Sequence, residues 1–331
     1  MNINTDLKNL KEVFNLTKEN LNIIANKENF CILSKTKNDI IIKKNIAGVI
    51  EEAGSLLLDK EIINNIQFKD ADLNITNTTL KVNNRKFTFA EKETDLVVND
   101  IGEKIATLTL EDYNNIIDIE YAIAQDEARP VLNNVYVGNE DIVALDGYRL
   151  AIRKNKVEFT VGNESFYIHL DLLKLMKKIK PNEKSIIEIY SNNIFSTLRI
   201  DDLYLTKEKE NTTYINYKSL IPYDFSTVVQ ANKNDVLEVL KSYKKENRVL
   251  KLDIKKDKML MQTSTEKFNL EDKIKVISNN DLLIAMNPNY LKEAINKYDD
   301  KIEIKFNNSV SPFVIEKENS FDMILPVRLN R

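Results

Sequence analysis

The stretch VALDGYRLAIRK, residues 143–154, gathers an acid, an aromatic ring, a guanidinium and a leucine around one of only six glycines in the chain. Asp146-Gly147 is turn chemistry: an acceptor side chain followed by a residue free to take positive φ. Tyr148, Arg149 and Leu150 then supply a ring, a charged donor and an apolar side chain, which are contact groups and not a set that makes or breaks bonds.

Catalytic constellations are absent elsewhere. Cys31 and His169 are the sole cysteine and histidine, so a Cys/His nucleophile would need the two to meet across a long separation, and a Cys or Cys/His zinc site is excluded. Cys31, in NFCILS, reads as a small buried hydrophobe, and His169, in FYIHLDLLKL, as a strand-end residue. Asp141 and Asp146 flank an apolar strand and Asp201-Asp202 sit in RIDDLYL; a two-metal nuclease uses such carboxylates, but their placement alone is no evidence for one. There is no P-loop, GxGxxG, HExxH or GxSxG. The expectation is a protein that is not an enzyme and needs no cofactor or metal.

With 48 Lys plus Arg against 51 Asp plus Glu, the formal net charge is -3. A chain so balanced would touch nucleic acid through a confined patch or weakly and without sequence preference. One cysteine permits no internal disulfide, no apolar run reaches 18 residues, and MNINTDLKNLKEVFN lacks a signal-peptide core, so a reducing cytoplasm is expected.

At 331 residues the chain divides more naturally into two or three domains than into one. What must position the turn is a recurring unit, a short apolar strand running through a polar cap into an amphipathic helix, at about 50 to 60 residue intervals. Units begin near 2, 55, 106, 166, 228 and 282. In the third, Thr109 and Asp112 form a capping pair before Leu110, Tyr113, Ile117, Tyr121 and Ala124 at helical spacing. In the sixth, Asn287 caps and Pro288 starts a helix bearing Leu291, Ala294, Ile295 and Tyr298; in the fifth, Asn232 precedes Val236, Leu237, Leu240 and Tyr243. The first two rest on Leu7, Leu10 and Phe14, and on Leu58, Ile62 and Ile66. Period-two segments such as NDIIIKK, KSIIEIY and KIEIKF lie between them. The fold class is therefore α+β, two helices on one side of an antiparallel sheet three times over, with domains at 1–104, 105–224 and 225–331. The competing account is chance similarity within a vocabulary rich in Lys, Asn and Ile.

Lysines mark the polar faces of these helices: Lys8 and Lys11; Lys174, Lys177 and Lys178; Lys241, Lys244 and Lys245; Lys292 and Lys297. They are either solvated faces or a lining for a polyanion contacted without base readout. Glu111, Asp112, Asp118 and Glu120 make the third helix acidic, against the second reading.

Taken with ARPVLNNVYV (128–137) before it and the tail FDMILPVRLNR, the opening stretch resembles the bacterial sliding clamp, the beta subunit of DNA polymerase III. That family pairs an RPVLNG-like segment with an ATDGHRLA-like turn and ends in an MPMRL- or LPVR-like tail. INYKSLIP (215–222), LLIAMNPNYLKEAI (282–295) and VSPFVIE (310–316) agree in order. The likeness covers 105–331 by motif and 1–104 by layout.

The resemblance implies a three-domain subunit that pairs head to tail with a second copy. The homodimeric ring places twelve helices around duplex DNA, so that the listed lysines face phosphate, and tethers a polymerase for processive replication. It also implies a peptide-binding pocket between the second and third domains for polymerases, the ATP-driven clamp loader and repair proteins. Carried over, its walls are Leu132, Leu145, Gly147, Tyr148, Arg149 and Leu150, then Pro222, then Met323, Leu325, Pro326, Val327, Arg328 and Leu329. Arg149 stands either at the rim for a peptide carbonyl or carboxylate or in a pair with Asp146 or an acidic neighbour, and Leu150 either in the pocket or in the core. Tyr148 replaces a frequent histidine, Leu145 a frequent threonine, and Asn330-Arg331 extend the tail. The first domain is short and diverged, and YKKENRVLKLDI is more polar than its counterparts, which bears on ring closure. The alternative is a scaffold that keeps the pocket without encircling DNA.

Overall fold

The computed structural model describes residues 1–27, 29–67, 71–97, 100–126, 128–210, 213–243, 249–264 and 269–329. The chain opens with β1 (Asn2–Asp6), α1 (Leu7–Thr17), β2 (Leu21–Ala25), β3 (Phe30–Lys35), β4 (Ile41–Ile46), β5 (Val49–Glu52), β6 (Gly54–Leu58) and α2 (Lys60–Asn64). There follow β7 (Asp72–Thr76), β8 (Thr79–Val82), β9 (Arg85–Thr88), β10 (Glu103–Leu108), α3 (Leu110–Asp118), β11 (Asn134–Gly138), β12 (Asp141–Leu145) and β13 (Arg149–Lys154). Next are β14 (Glu158–Phe159), β15 (Ser165–His169), α4 (Leu170–Met176), β16 (Ile187–Ser191), β17 (Phe195–Ile200) and β18 (Leu203–Glu208). The last third holds β19 (Thr227–Asn232), α5 (Lys233–Ser242), β20 (Leu250–Ile254), β21 (Lys258–Ser264), β22 (Asn269–Ser278), β23 (Leu282–Met286), α6 (Pro288–Ile295), β24 (Lys301–Phe306), β25 (Phe313–Lys317) and β26 (Ser320–Ile324).

Among the described residues a helix stands at each of the six expected units, giving three sheet-and-helix repeats. The caps work as their sequences require. The Thr109 hydroxyl accepts from the Asp112 amide at 3.1 Å while the Asp112 carboxylate accepts from the Thr109 amide at 2.9 Å, a reciprocal box. Asn232 accepts from the Asn234 amide and Asn287 from the Asn289 amide, with Pro288 in the first turn of α6. Leu7, Leu10 and Phe14 of α1, Val236 and Leu240 of α5, and Leu291, Ala294 and Ile295 of α6 all turn inward.

Two helices depart from expectation. α3 stops at Asp118, short of Tyr121 and Ala124, and its buried apolar side chains are Tyr113 and Ile116, with Ile117 half-exposed. The chain tightens into a 3-10 turn at Glu120–Ala122, where Asp118 and Tyr121 are both drawn to Arg153. α2 is a single short stretch in which Ile63, not Ile62, is buried.

The chain forms two compact units, one of Met1–Tyr113, Lys156–Glu164 and Asp171–Asn211, the other of Asn114–Asn155, Ser165–Leu170 and Thr212–Arg331. The first contains a five-stranded sheet, β5-β1-β7-β8-β9, and a nine-stranded sheet, β14-β10-β16-β17-β18-β4-β3-β2-β6. The second contains a twelve-stranded sheet, β15-β11-β12-β13-β26-β25-β24-β19-β22-β21-β20-β23. Strand pairing runs antiparallel across both expected boundaries: β4 joins β18 with Leu203 opposite Lys44, and β13 joins β26 with Leu150 opposite Met323.

Candidate functional site

The turn that opens the sequence closes a hairpin of the second unit. Leu145 and Leu150 are the last facing pair of β12 and β13, and Asp146, Gly147 and Tyr148 link the two strands. One oxygen of the Asp146 carboxylate accepts the amides of Tyr148 at 2.8 Å and Arg149 at 3.0 Å, and the Asp146 amide donates to the Arg149 carbonyl at 3.2 Å. Two of the turn's amides are thus satisfied by a side chain within it. Gly147 has φ +89, where an L side chain is strained, and a Cβ there would also lie 2.9 Å from the Arg129 guanidinium. The backbone conformation explains the glycine, because the exposed end of the Arg129 side chain can move aside.

Arg149 is already paired. Its Nε donates to Asp146 at 2.9 Å, one terminal nitrogen donates to Glu293, and the guanidinium lies 4.2 Å from the centre of the Tyr290 ring and 5.4 Å from that of Tyr121. The pairing with Asp146, one of the two roles open in the sequence, is the one present. Tyr290, Glu293 and Tyr121 escaped sequence reading because they come from α6 and from the turn after α3. A tyrosine in the first turn of α6, beside an α6 carboxylate one helical turn on, is the signal that was available.

Behind the turn is an apolar cluster. Leu132, Leu145, Leu150 and Met323 are buried in it with Val143, Ile152, Tyr217 and Val314. Leu150 is 1% exposed, so its side chain belongs to the core. Alternation along the strands builds this face, with Leu150 opposite Met323 and Ile152 opposite Phe321. The tail is tied down beyond it: the Leu325 amide donates to the Tyr148 carbonyl and the Val327 amide to the Ala285 carbonyl, each at 2.8 Å. Gly147, Tyr148 (59% exposed), Arg328 and Leu329 are therefore exposed, and Pro222, Leu325, Pro326 and Val327 half-buried. Asn330 and Arg331 lie outside the described residues.

Pro222 owes its place to a group of tyrosines that sequence reading also missed. The Tyr214 ring stacks on Tyr136 at 5.1 Å between centres, and its hydroxyl donates to the Val143 carbonyl at 3.3 Å. The Tyr217 hydroxyl donates to buried Asp141 at 2.8 Å, and burial with that carboxylate beside it pushes the hydroxyl's pKa up. Segment 214–222 is thereby stapled to the sheet.

Of the lysines read on helix faces, Lys8, Lys174, Lys177, Lys178, Lys241 and Lys297 are exposed, and Lys11 and Lys292 half-buried. Lys174 pairs with Asp171 at 3.1 Å, Lys178 reaches the Leu16 carbonyl at 3.5 Å and Lys297 pairs with Asp118 at 2.7 Å. Lys244 and Lys245 lie outside the described residues. The acidity of α3 is largely spent on local partners: Asp112 caps, Glu111 pairs with Lys156 and Asp118 with Arg153 and Lys297. Among the described residues no group of three or more His, Cys, Asp or Glu side chains is placed to hold a metal ion. Among the described residues no helix is long and apolar enough to cross a membrane.

Residues 218–328 match the family described as DNA polymerase III beta subunit, C-terminal domain. The beta sliding clamp of Staphylococcus epidermidis is 23% identical, aligned over 91% of this chain and 89% of its own length. The Bacillus subtilis DNA polymerase sliding clamp superposes with a TM-score of 0.84 over all of both chains at 19% identity. A Pseudomonas aeruginosa DNA polymerase sliding clamp gives 0.87 over 99% of this chain and all of its own, at 15% identity. The C-terminal match, the length-wide alignment and the shared fold agree with one another: each is to a bacterial DNA polymerase III beta subunit, or sliding clamp.

Proposed function

We propose that this protein is a DNA sliding clamp, a non-catalytic ring that encircles duplex DNA and holds a replicative polymerase to it. The observation that carries the reading is the agreement with clamp structures over the whole chain, including the first third, where sequence motifs are weakest. In this reading residues 1–104, 105–224 and 225–331 are three clamp domains, and two copies join head to tail. The lysines of α1, α4, α5 and α6, with Lys177 and Lys178 just past α4 and Lys297 just past α6, then face phosphate without base readout, as sliding requires.

The surface formed by Gly147, Tyr148, Pro222 and Leu325–Leu329, floored by Leu132, Leu145, Leu150 and Met323, takes a short peptide from polymerase, clamp loader or repair proteins. Burial of apolar anchors there supplies affinity at about 25 cal/mol per Å². Because Arg149 is already paired, its part is to hold Tyr290 and the turn in place.

The test is retention after loading by a cognate clamp loader with ATP. Protein that stays on a nicked circle and is lost from the same circle once it is linearised is a sliding ring; equal retention on both would sink the proposal. Tyr148→Ala and Pro326→Ala, at exposed and half-exposed positions, should load poorly while melting as the parent does. Leu150→Ala is a poorer probe, since emptying a buried leucine site lowers stability by about 2–5 kcal/mol regardless of peptide.

A further inference from the structure

A cleft of about 550 Å³ lies in the second unit beside the candidate peptide pocket, within the size range of ligand sites. Its apolar lining is Ile152, Ile221 and Phe321. Ile152 and Phe321 face each other across β13 and β26, one same-face step, about 7 Å, from the Leu150–Met323 pair under the pocket. Ile221 adjoins Pro222, so the stapled segment that walls the pocket also walls the cleft. Pocket floor and cleft floor belong to one apolar cluster.

The cleft is lined by three cations, Lys154, Lys305 and Lys317, and three acids, Asp141, Glu316 and exposed Glu318, so its charges balance, and the cations are paired already. Lys154 pairs with Asp141 at 2.6 Å, Lys305 with Glu316 at 2.5 Å and Lys317 with Asp299. Buried Asp141 has one oxygen on Lys154 and the other on the Tyr217 hydroxyl. Covering this floor with apolar atoms strands no buried charge, and the rim offers no excess of either sign to attract an acidic tail or a phosphate backbone.

We propose that this cleft is an extension of the peptide pocket, and that it receives an uncharged segment with an aliphatic or aromatic side chain flanking the anchor residues of the same client peptide. The proposal rests on the pocket binding peptide, as argued above. Clients are then graded by their flanks: those sharing one anchor motif differ in affinity according to whether an apolar residue follows into the cleft.

The experiment uses the full chain and three fluorescein-labelled probes: a hexapeptide with leucine and phenylalanine anchors, and that peptide extended at its amino or its carboxyl end by four uncharged residues including leucine and valine. Fluorescence polarisation should show one extended probe binding about tenfold tighter than the hexapeptide. Phe321→Asp should abolish that gain and leave the hexapeptide's affinity unchanged. Because Phe321 also packs on the core, a second variant, Asn319→Cys at the exposed rim, reports position: a bromoacetyl group on the extended end should alkylate it, and the same group on the hexapeptide should not. Failure of the hexapeptide to bind at all would remove the pocket reading itself. Binding of the hexapeptide with neither gain nor crosslink from either extension would overturn the cleft alone. So would an equal loss for hexapeptide and extended probe in Phe321→Asp, or displacement of the extension by a duplex oligonucleotide.

Discussion

Each compact unit has a buried cation where distant strands are zipped together, and the two are held differently. In the first, Lys44 of β4 reaches Glu12 of α1 at 2.8 Å and Asp202, beside β18, at 3.1 Å. In the second, Arg153 of β13 reaches Asp118 of α3 at 3.0 Å and Asp322 of β26 at 3.1 Å. In both, one acid comes from a nearby helix and the other from a strand region 158 or 169 residues further along the chain. The carboxylates around Lys44 are 40% and 50% exposed and keep much of their hydration, whereas the Asp322 side chain is 2% exposed. Arg153 also donates to the Tyr121 hydroxyl and the Ile152 carbonyl, and Tyr121 and Tyr298 both donate to Asp322. Burial pushes the Asp322 carboxyl's pKa up against the lowering pull of Arg153 and the two hydroxyls. A lysine can serve a wet seam as a point charge, but a dry one needs the planar fork of arginine, whose several donors leave no buried acceptor unmatched.

The strongest way to break this contrast is Arg153→Ala, which strands Asp322 in the core. Chemical denaturation should show a loss of about 3–5 kcal/mol, with Arg153→Lys recovering only part of it. A loss under about 1 kcal/mol would mean that the network is decoration. Lys44→Ala should lower stability by only about 1–2 kcal/mol, since Glu12 and Asp202 can turn to water, and Lys44→Met should recover most of that.

A gentler test is alkaline pH. Burial holds the hydroxyls of Tyr121, Tyr214, Tyr217 and Tyr298 above their ordinary value and pushes Tyr243 up to about 12, whereas in the first unit this holds for Tyr113. A raised folded pKa contributes stability that is complete below the unfolded value of 10.0 and is lost as pH climbs past it. Above that point the second unit should open before the first, with proteolytic cuts and tyrosinate absorbance appearing there together. Simultaneous opening would mean that the tyrosines do not distinguish the units.

The pattern of elements was legible because its causes are local. Capping at Thr109, Asn232 and Asn287, and the inward faces of α1, α5 and α6, follow from spacing alone. The end of α3 was not, because Arg153, 35 residues away, takes hold of Asp118. Within the candidate site, the Asp146-Gly147 turn and the apolar walls could be read from adjacent residues. Of the partners of Arg149, Asp146, three residues away, could be read as one of its open roles, but Glu293, 144 residues away, could not. Nor could the tyrosine stack, whose members come from β11, β15 and the segment before Pro222.

By itself the sequence determined the sixfold recurrence of strand, cap and helix, the period-two strands, the turn that demands a glycine, and the side chains able to line an apolar surface. All of these arise from interactions within a few residues, where covalent geometry and side-chain periodicity leave little choice. Only the tertiary structure decided which strands zip across 41–46 and 203–208 or 149–154 and 320–324, that Leu150 is core while Tyr148 is surface, and that Arg149 and Arg153 are spent on particular acids. Those outcomes depend on which groups lose water together, and desolvation is a property of the packed chain, not of any segment of it.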